Sequence, residues 1–187
     1  MFLQRTDIGE EGEMMWVFFR KCVAVATLAS FVLLAGCAAT ESKLAVPYVV
    51  ELNASDDVNS AGRHRPSPIK VTIYELKTTN AFELSDFFSL QEDARAALGD
   101  QLLNVNSVIL TPGKTERITA HGNVEAKVLG IVAAYRDLDN SQWRLTVDLP
   151  AAKSTNIYKF WQFSPSSALI TVDVKRNAVQ FRPLKQK

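Results

Sequence analysis

The chain has 187 residues, of which 47% are hydrophobic, enough to form a buried core. Its 21 Lys and Arg residues nearly balance 20 Asp and Glu residues, and the formal net charge of +1 excludes the basic footprint of a nucleic-acid-binding protein. Its two cysteines, Cys22 and Cys37, both lie near the N-terminus, so the rest of the chain must rely on its core rather than on disulfides.

The N-terminal region is predicted to be an export signal. Arg20-Lys21 precedes an apolar run from Val23 to Leu33, which is shorter than the roughly 20 residues of a membrane-spanning helix. Leu34-Ala35-Gly36-Cys37 then has the form of a bacterial lipobox. Cys37 is therefore predicted to be the lipidated first residue of the mature chain. Alternatively, Cys37 is an ordinary small residue that closes a membrane anchor or a conventional signal peptide.

These assignments predict three segments. Residues 1–36 form the signal peptide, with a true start at Met14 or Met15 because the preceding acidic residues fit poorly before a basic region. Residues 37–45 form the lipidated N-terminus and a polar tether, and residues 46–187 form one β-sandwich domain.

Alternation of apolar and polar residues recurs beyond the tether and predicts antiparallel strands. Val128 to Tyr135 is apolar on both faces and is expected to be a central strand. The other predicted strands are 46–53, 69–77, 102–110, 116–121, 143–149, 157–163, 170–174 and 178–181. About eight or nine strands in one domain are typical of an all-β sandwich.

Residues 81–99 break this alternation and predict two short helices inserted among the strands. Ser85 and Ser89 are the predicted N-caps, and Gly99 the predicted helix stop. Four apolar side chains of the insertion are expected to pack over a sheet, namely Phe82, Phe87, Phe88 and Leu90.

A long polar loop, residues 54–68, separates the first two predicted strands. Its length exceeds that of ordinary hairpin loops, and long loops in compact domains are usually functional or disordered. It begins with acidic Asp56 and Asp57 and ends with basic Arg63, His64 and Arg65, so it offers both charge signs to a partner. The alternative is a mobile tip without a role.

Side chains suited to catalysis are scarce. Lipidation would remove Cys37 as a nucleophile, which leaves His64 and His121 as the imidazole bases. Asp56-Asp57 lacks the spacing of a calcium loop, and Gly113-Lys114-Thr115 lacks the earlier glycine of a phosphate loop. We therefore predict a binding or assembly module with no catalytic, cofactor or metal site.

Several motifs together resemble one family, the TssJ-type outer-membrane lipoproteins of bacterial type VI secretion systems. They are the lipobox, Leu52-Asn53, Arg65-Pro66-Ser67-Pro68, Val71-x-x-Tyr74-x-Leu76, Phe82, Asp86-Phe87, Leu90, Leu98-Gly99, Leu110-x-Pro112-Gly113, Gly130-x-x-Ala133-x-Tyr135-Arg136 and Trp143-Arg144. The resemblance covers residues 34–149 and implies a transthyretin-like β-sandwich with a small helical addition.

The resemblance also implies a non-catalytic role in assembling a trans-envelope complex. Such a protein is held in the outer membrane by acyl chains on Cys37, faces the periplasm, and binds the periplasmic domain of a TssM-like inner-membrane protein. The loop between the first two strands is implicated in that contact. The corresponding partner-binding residues here would be Asp56, Asp57, Val58, Asn59, Arg63, His64, Arg65 and Ser67, with Val58 supplying a small apolar contact.

Two other functions stay open from the sequence. A lipoprotein that carries a small apolar or sugar ligand would use a pocket lined by aromatic side chains such as Trp143, Tyr158, Phe160, Trp161 and Phe163. An envelope hydrolase would need His64 or His121 to meet a nucleophile or a metal across the fold.

Overall fold

The computed structural model describes residues 41–61, 65–156 and 167–183, together with Trp16, Arg20 and Lys21. By its internal contacts the chain divides into two units, Met1–Glu41 and Ser42–Lys187, and the strands and helices below lie in the second unit or begin at its border. Cys37 and most of the predicted signal peptide lie outside the described residues. No helix within the described part of the chain combines the length and apolar character needed to cross a membrane.

Strands dominate the described unit, in agreement with the all-β prediction. The strands are β1 (Glu41–Leu44), β2 (Tyr48–Ala54), β3 (Ile69–Leu76), β4 (Leu102–Leu110), β5 (Thr115–Ala120), β6 (Val128–Ala133), β7 (Arg144–Asp148), β8 (Lys153–Asn156), β9 (Ala168–Val174) and β10 (Val179–Arg182). Three short helices, α1 (Asn80–Leu84), α2 (Phe87–Glu92) and α3 (Ala94–Leu98), and a 3-10 turn (Gly99–Gln101) lie between β3 and β4.

Eight strands form the two layers of the predicted sandwich. Sheet 1 has the order β10-β9-β2-β5, and sheet 2 has the order β4-β3-β6-β7. Neighbouring strands are antiparallel except β2 and β9, which run parallel with Val50 opposite Ile170. Within the described residues, β1 pairs only with β8, so residues 41–44 of the predicted tether 37–45 form a strand.

Alternate side chains of the central strands fill the space between the sheets, as the period of two requires. Val50 and Leu52 of β2 face Val71 and Ile131 of sheet 2 in this core, and all four are fully buried. Every residue of β6 is buried, which confirms the predicted central strand. The predicted strand 157–163 lies outside the described residues.

The helical insertion covers the outer face of sheet 2, and this second layer explains why β6 is apolar on both faces. Phe82 and Leu90 are buried there beside Tyr74 and Val132. The Phe82 ring lies so close to the backbone of Gly130 that a Cβ at that position would be only 2.7 Å from the ring. Phe88 corrects our packing prediction, since its side chain is 63% exposed.

The predicted helix N-caps are wrong by one to four residues. The Asp86 carboxylate accepts hydrogen bonds from the Phe88 and Ser89 amides at 2.9 and 3.0 Å, and it caps α2. Asp93 caps α3 through the Ala96 amide at 2.9 Å. Ser85 Oγ instead donates to the carbonyl of Ala81. Gly99, at φ +57° after α3, confirms the predicted helix stop.

Candidate functional site

Four connections meet at one end of the sandwich. They are the β2–β3 loop (55–68), the β4–β5 turn (111–114), the β6–β7 loop (134–143) and the β9–β10 turn (175–178). The strand register places them together, because Ile69 pairs with Leu110, Val71 with Ala133, and Ala54 with Val174. The start of β2 lies at the opposite end, so the described chain enters the sandwich far from the β2–β3 loop.

Backbone hydrogen bonds fasten the β2–β3 loop to its neighbours. The Ser55 amide donates to the Val174 carbonyl at 2.9 Å, and the Gly113 amide donates to the Ser55 carbonyl at 3.3 Å. Further along, the Asn59 amide donates to the Arg176 carbonyl at 3.1 Å. The described part of this loop is therefore an ordered part of the fold rather than a free tip.

The side chain of Asn59 also joins the loop to the rest of this end. Its side chain is buried, and its Nδ2 donates to Ser67 Oγ at 3.1 Å and to the Pro68 carbonyl at 3.2 Å. Its Oδ1 accepts the Arg136 amide of the β6–β7 loop at 2.8 Å. Its φ of +53° lies in the left-handed region, which asparagine tolerates better than most residues.

The predicted partner-binding residues divide by burial. Asp56, Asp57 and Arg65 are exposed. Asp57 accepts a hydrogen bond from Ser55 Oγ at 2.7 Å, and Asp56 lies over the β4–β5 turn, where its Oδ1 would be 2.5 Å from a Cβ at Gly113.

The other described residues of that set are buried. Val58, at 0% exposed, belongs to the main core, so the expected apolar contact from its side chain is wrong for this surface. Asn59 and Ser67 are also buried and support the loop from beneath. Arg63 and His64 lie outside the described residues. The binding role of the loop stays a prediction.

A polar cavity of about 80 Å³ opens beside the loop. Its lining combines Asn59, Ser60 and Ala61 of the loop with residues of two other connections, namely Tyr135, Asp137, Asn140, Arg176 and Asn177. Burial raises the pKa of Tyr135, whose hydroxyl donates to the Lys175 carbonyl at 3.1 Å. The sequence did not mark residues 137–140 or 176–177 as parts of a site, because only the strand register brings these two connections beside the loop.

Buried polar groups also lie at the opposite end of the sandwich. Burial raises the pKa of Glu75, although hydrogen bonds from the Asn123 amide, at 2.7 Å, and from Tyr48 act in the other direction. Burial, together with the nearby Glu75, raises the pKa of Tyr48. These groups brace β2 and β3 near the point where the described chain enters the sandwich.

Only some of the residues considered for the alternative functions are described. His121 is exposed in the β5–β6 connection, and His64 lies outside the described residues. Among the residues that the structure describes, no three His, Cys, Asp or Glu side chains are grouped as metal ligands would be.

The aromatic residues of the ligand-carrier hypothesis are only partly described. The Trp143 ring packs edge-on against Phe87 at 5.5 Å and under the Arg144 guanidinium at 4.8 Å. It also borders an open groove of about 550 Å³ between β7 and β10, together with Phe181. Tyr158, Phe160, Trp161 and Phe163 fall outside the described residues.

Comparisons with known proteins identify the family. A family model described as type VI secretion lipoprotein, including VasD, EvfM and TssJ, matches residues 47–177. No curated protein sequence that was compared matches the chain. The structure of Lip from Serratia marcescens, a membrane-bound component of the type VI secretion system, is similar with a TM-score of 0.66 and 31% identity, over 76% of this chain and 100% of that one.

Two further solved structures agree. The lipoprotein TssJ1 from Pseudomonas aeruginosa has a TM-score of 0.64 and 28% identity, over 75% of this chain and 98% of that one. A chain of a type VI membrane complex has a TM-score of 0.61 over 74% of this chain and 99% of that one, and at 19% identity this likeness concerns the fold alone. The fold, the order of the motifs and the family match lead to one conclusion: the chain belongs to the TssJ family of type VI secretion lipoproteins.

Proposed function

We propose that this lipoprotein is a non-catalytic assembly component of a type VI secretion membrane complex. Acyl chains on Cys37 hold it in the outer membrane, facing the periplasm, after removal of residues 1–36. The end of the sandwich that carries the β2–β3 loop, here called the loop end, then binds the periplasmic domain of a TssM-like inner-membrane protein. The observation that carries this proposal is the position of the loop, at the end of the sandwich opposite to the start of β2.

The distances fit an adaptor. A seven-residue strand with a rise of about 3.3 Å per residue carries the chain about 20 Å from Tyr48 to the loop end. Cys37 is separated from the start of β1 by so few residues that, at about 3.5 Å each, the anchor can reach only about 14 Å from the strand. The anchor therefore keeps the sandwich close to the membrane.

Stable attachment requires more than one acyl chain, because each buried methylene contributes only about 0.8 kcal/mol. Anchoring also raises the local concentration of the loop near an inner-membrane partner, so a modest affinity suffices for assembly. No chemical step is needed for this role.

The described part of the loop is suited to binding because contacts with three neighbouring connections already order it. A pre-ordered loop loses less conformational entropy on association than a free one. Its exposed charges have both signs, with Asp56 and Asp57 at one end and Arg65 at the other. Complementary charges of this kind favour the correct partner and raise the association rate.

The test is calorimetric titration of residues 38–187 into the periplasmic domain of the TssM-like protein from the same system. A loop variant carries Asp57→Lys and Arg65→Glu, which invert exposed charges and leave the buried Val58 and Asn59 unchanged. A control variant carries Asp100→Lys and Lys127→Glu at exposed positions outside the loop end. Both double variants keep the net charge of the original protein.

We expect binding by the original protein and the control variant, with at least tenfold weaker binding by the loop variant. Equal binding by all three proteins would show that the loop charges are not part of the interface. No binding by the original protein to its matched partner would contradict the adaptor function itself, and a search for a small ligand at the β7–β10 groove would follow.

A further inference from the structure

We infer that the polar cavity beside the β2–β3 loop receives a lysine or arginine side chain of the partner and pairs it with Asp137. This inference rests on the proposed function and extends the interface to the β6–β7 loop and the β9–β10 turn. It concerns the occupant of the cavity and the residue that recognises it.

The cavity is a built feature of three connections. The Asn59 side chain accepts the Arg136 amide from the β6–β7 loop at 2.8 Å, and Arg176 Nε of the β9–β10 turn donates to the Ser60 carbonyl at 3.1 Å. Asn177 Nδ2 donates to the Asn140 carbonyl at 3.1 Å and joins the other two connections. A partner that touches the β2–β3 loop therefore meets all three connections as one surface.

The volume fits the head of a side chain. About 80 Å³ is several times the roughly 15 Å³ that one water molecule requires in this measure. Three of the lining residues are held in place, because Asn59, Ser60 and Tyr135 are each buried and hydrogen-bonded. A long cationic side chain can enter such an opening while its alkyl stem lies against Ala61.

The hydrogen-bonding balance of the lining selects a donor. Ser60 Oγ already donates to the Asp57 carbonyl at 2.7 Å, and Asn140 Nδ2 donates to Asp137 Oδ1 at 2.8 Å. The side-chain donors of Asn59, Tyr135 and Asn177 are likewise directed to atoms of this chain. Asp137 Oδ2, by contrast, accepts no hydrogen bond from the described residues, so the cavity offers a half-buried carboxylate oxygen to an incoming cation.

Arg176 also lines the cavity, and its positive charge makes a carboxylate of the partner the competing occupant. The two occupants respond oppositely to removal of the Asp137 charge. A bound lysine or arginine would lose its counter-charge and bind more weakly, whereas a bound carboxylate would lose a repulsive neighbour and bind more tightly.

The experiment compares Asp137→Asn with Asp139→Asn in the full-length lipoprotein, purified in detergent. Asp139 is a matched control, since it is an exposed aspartate of the same loop that does not line the cavity. Affinity for the full-length TssM-like protein, also in detergent, is measured by thermophoresis at low and physiological salt. Asparagine can still accept the Asn140 hydrogen bond, and an unchanged melting temperature checks the fold.

We expect Asp137→Asn to raise the dissociation constant about tenfold or more, as for the loss of one charge-assisted hydrogen bond, and Asp139→Asn to leave it within about twofold. Unchanged or tighter binding by Asp137→Asn would overturn the inference while leaving the adaptor function intact, and so would equal weakening by both variants. If the unaltered lipoprotein did not bind, the adaptor function and this inference would fall together.

Discussion

Asn59 offers the sharpest test of how the loop end is held together. It combines a left-handed backbone, at φ +53°, with a side chain that is only 5% exposed. Its three side-chain hydrogen bonds join Ser67, Pro68 and Arg136. The variant Asn59→Gly removes those bonds and keeps a backbone that is comfortable at positive φ, whereas Asn59→Ala removes them and adds backbone strain.

The expected losses follow from these contacts. A hydrogen bond makes a net contribution of about 1 kcal/mol to the free energy of unfolding, and a buried polar group left without a partner lowers it by about 1–3 kcal/mol. The Arg136 amide and the Pro68 carbonyl are partly buried, so water recovers part of that cost. We expect Asn59→Gly to lower the free energy of unfolding by about 2–3 kcal/mol, and the alanine variant to lose a further 1 kcal/mol or so because of its left-handed backbone.

Urea unfolding of residues 38–187, followed by tryptophan fluorescence, measures both losses. Asn104→Ala, at an exposed position of β4, is the control and should stay within about 0.5 kcal/mol of the original protein. A stable Asn59→Ala variant would refute the role given to this side chain. Equal losses for glycine and alanine would keep the hydrogen-bond argument and refute the backbone argument.

Four further predictions concern other parts of the chain. Gly130→Ala places a Cβ 2.7 Å from the Phe82 ring and should lower the free energy of unfolding in denaturant by about 1–3 kcal/mol. Adding Phe82→Leu should recover part of that loss, and no recovery would mean that the two sites are uncoupled. Arg144→Ala removes hydrogen bonds to the carbonyls of Phe82, Glu83 and Ser85 and should lower the free energy of unfolding by about 2 kcal/mol. It should also expose α1 to limited proteolysis, which an unchanged digestion pattern would contradict. Burial raises the pKa of Glu75 above its usual value near 4.5, so the folded state binds more protons than the unfolded chain. The free energy of unfolding therefore falls as the pH rises from about 4.5 through the raised pKa. Glu75→Gln should be more stabilising at pH 7 than at pH 4, and unfolding curves with no such difference would disprove this. Cys37→Ser should move the protein from the membrane fraction to the soluble periplasmic fraction, and retention in the membrane would argue for another form of anchoring.

Sequence periodicity was sufficient for the strands of the sandwich. Alternation in β7 and β9 and the two-faced apolar character of β6 are local patterns with direct structural causes, and these strands appear where they were predicted. Pairing partners were harder to predict. Nothing local shows that β2 runs parallel to β9, or that a strand from the tether region pairs with β8, because those choices depend on residues far apart in the chain.

The candidate site was predictable only as a loop. Composition marked residues 54–68 as long and polar, and Asp56, Asp57 and Arg65 are indeed exposed. Composition could not show that Val58 turns inward to the core or that Asn59 binds the β6–β7 loop, since both follow from tertiary packing. The N-caps show the same limit on a smaller scale. Serine and aspartate are similarly good caps, so the sequence could not show that the helices begin after Asp86 and Asp93 rather than after Ser85 and Ser89.

The pairing of β2 has a consequence for how the protein folds along the export route proposed above. This early strand is completed by β5 and β9, whose partners for Leu52 are Glu116 and Val172. Such distant contacts close slowly, and sheet 1 cannot be finished until almost the whole chain is available to fold. Until then β2 is an open apolar edge, liable to pair with other chains. A chain built this way therefore depends on protection of β2 until β9 is available, and a chain truncated before β9 would be prone to aggregate.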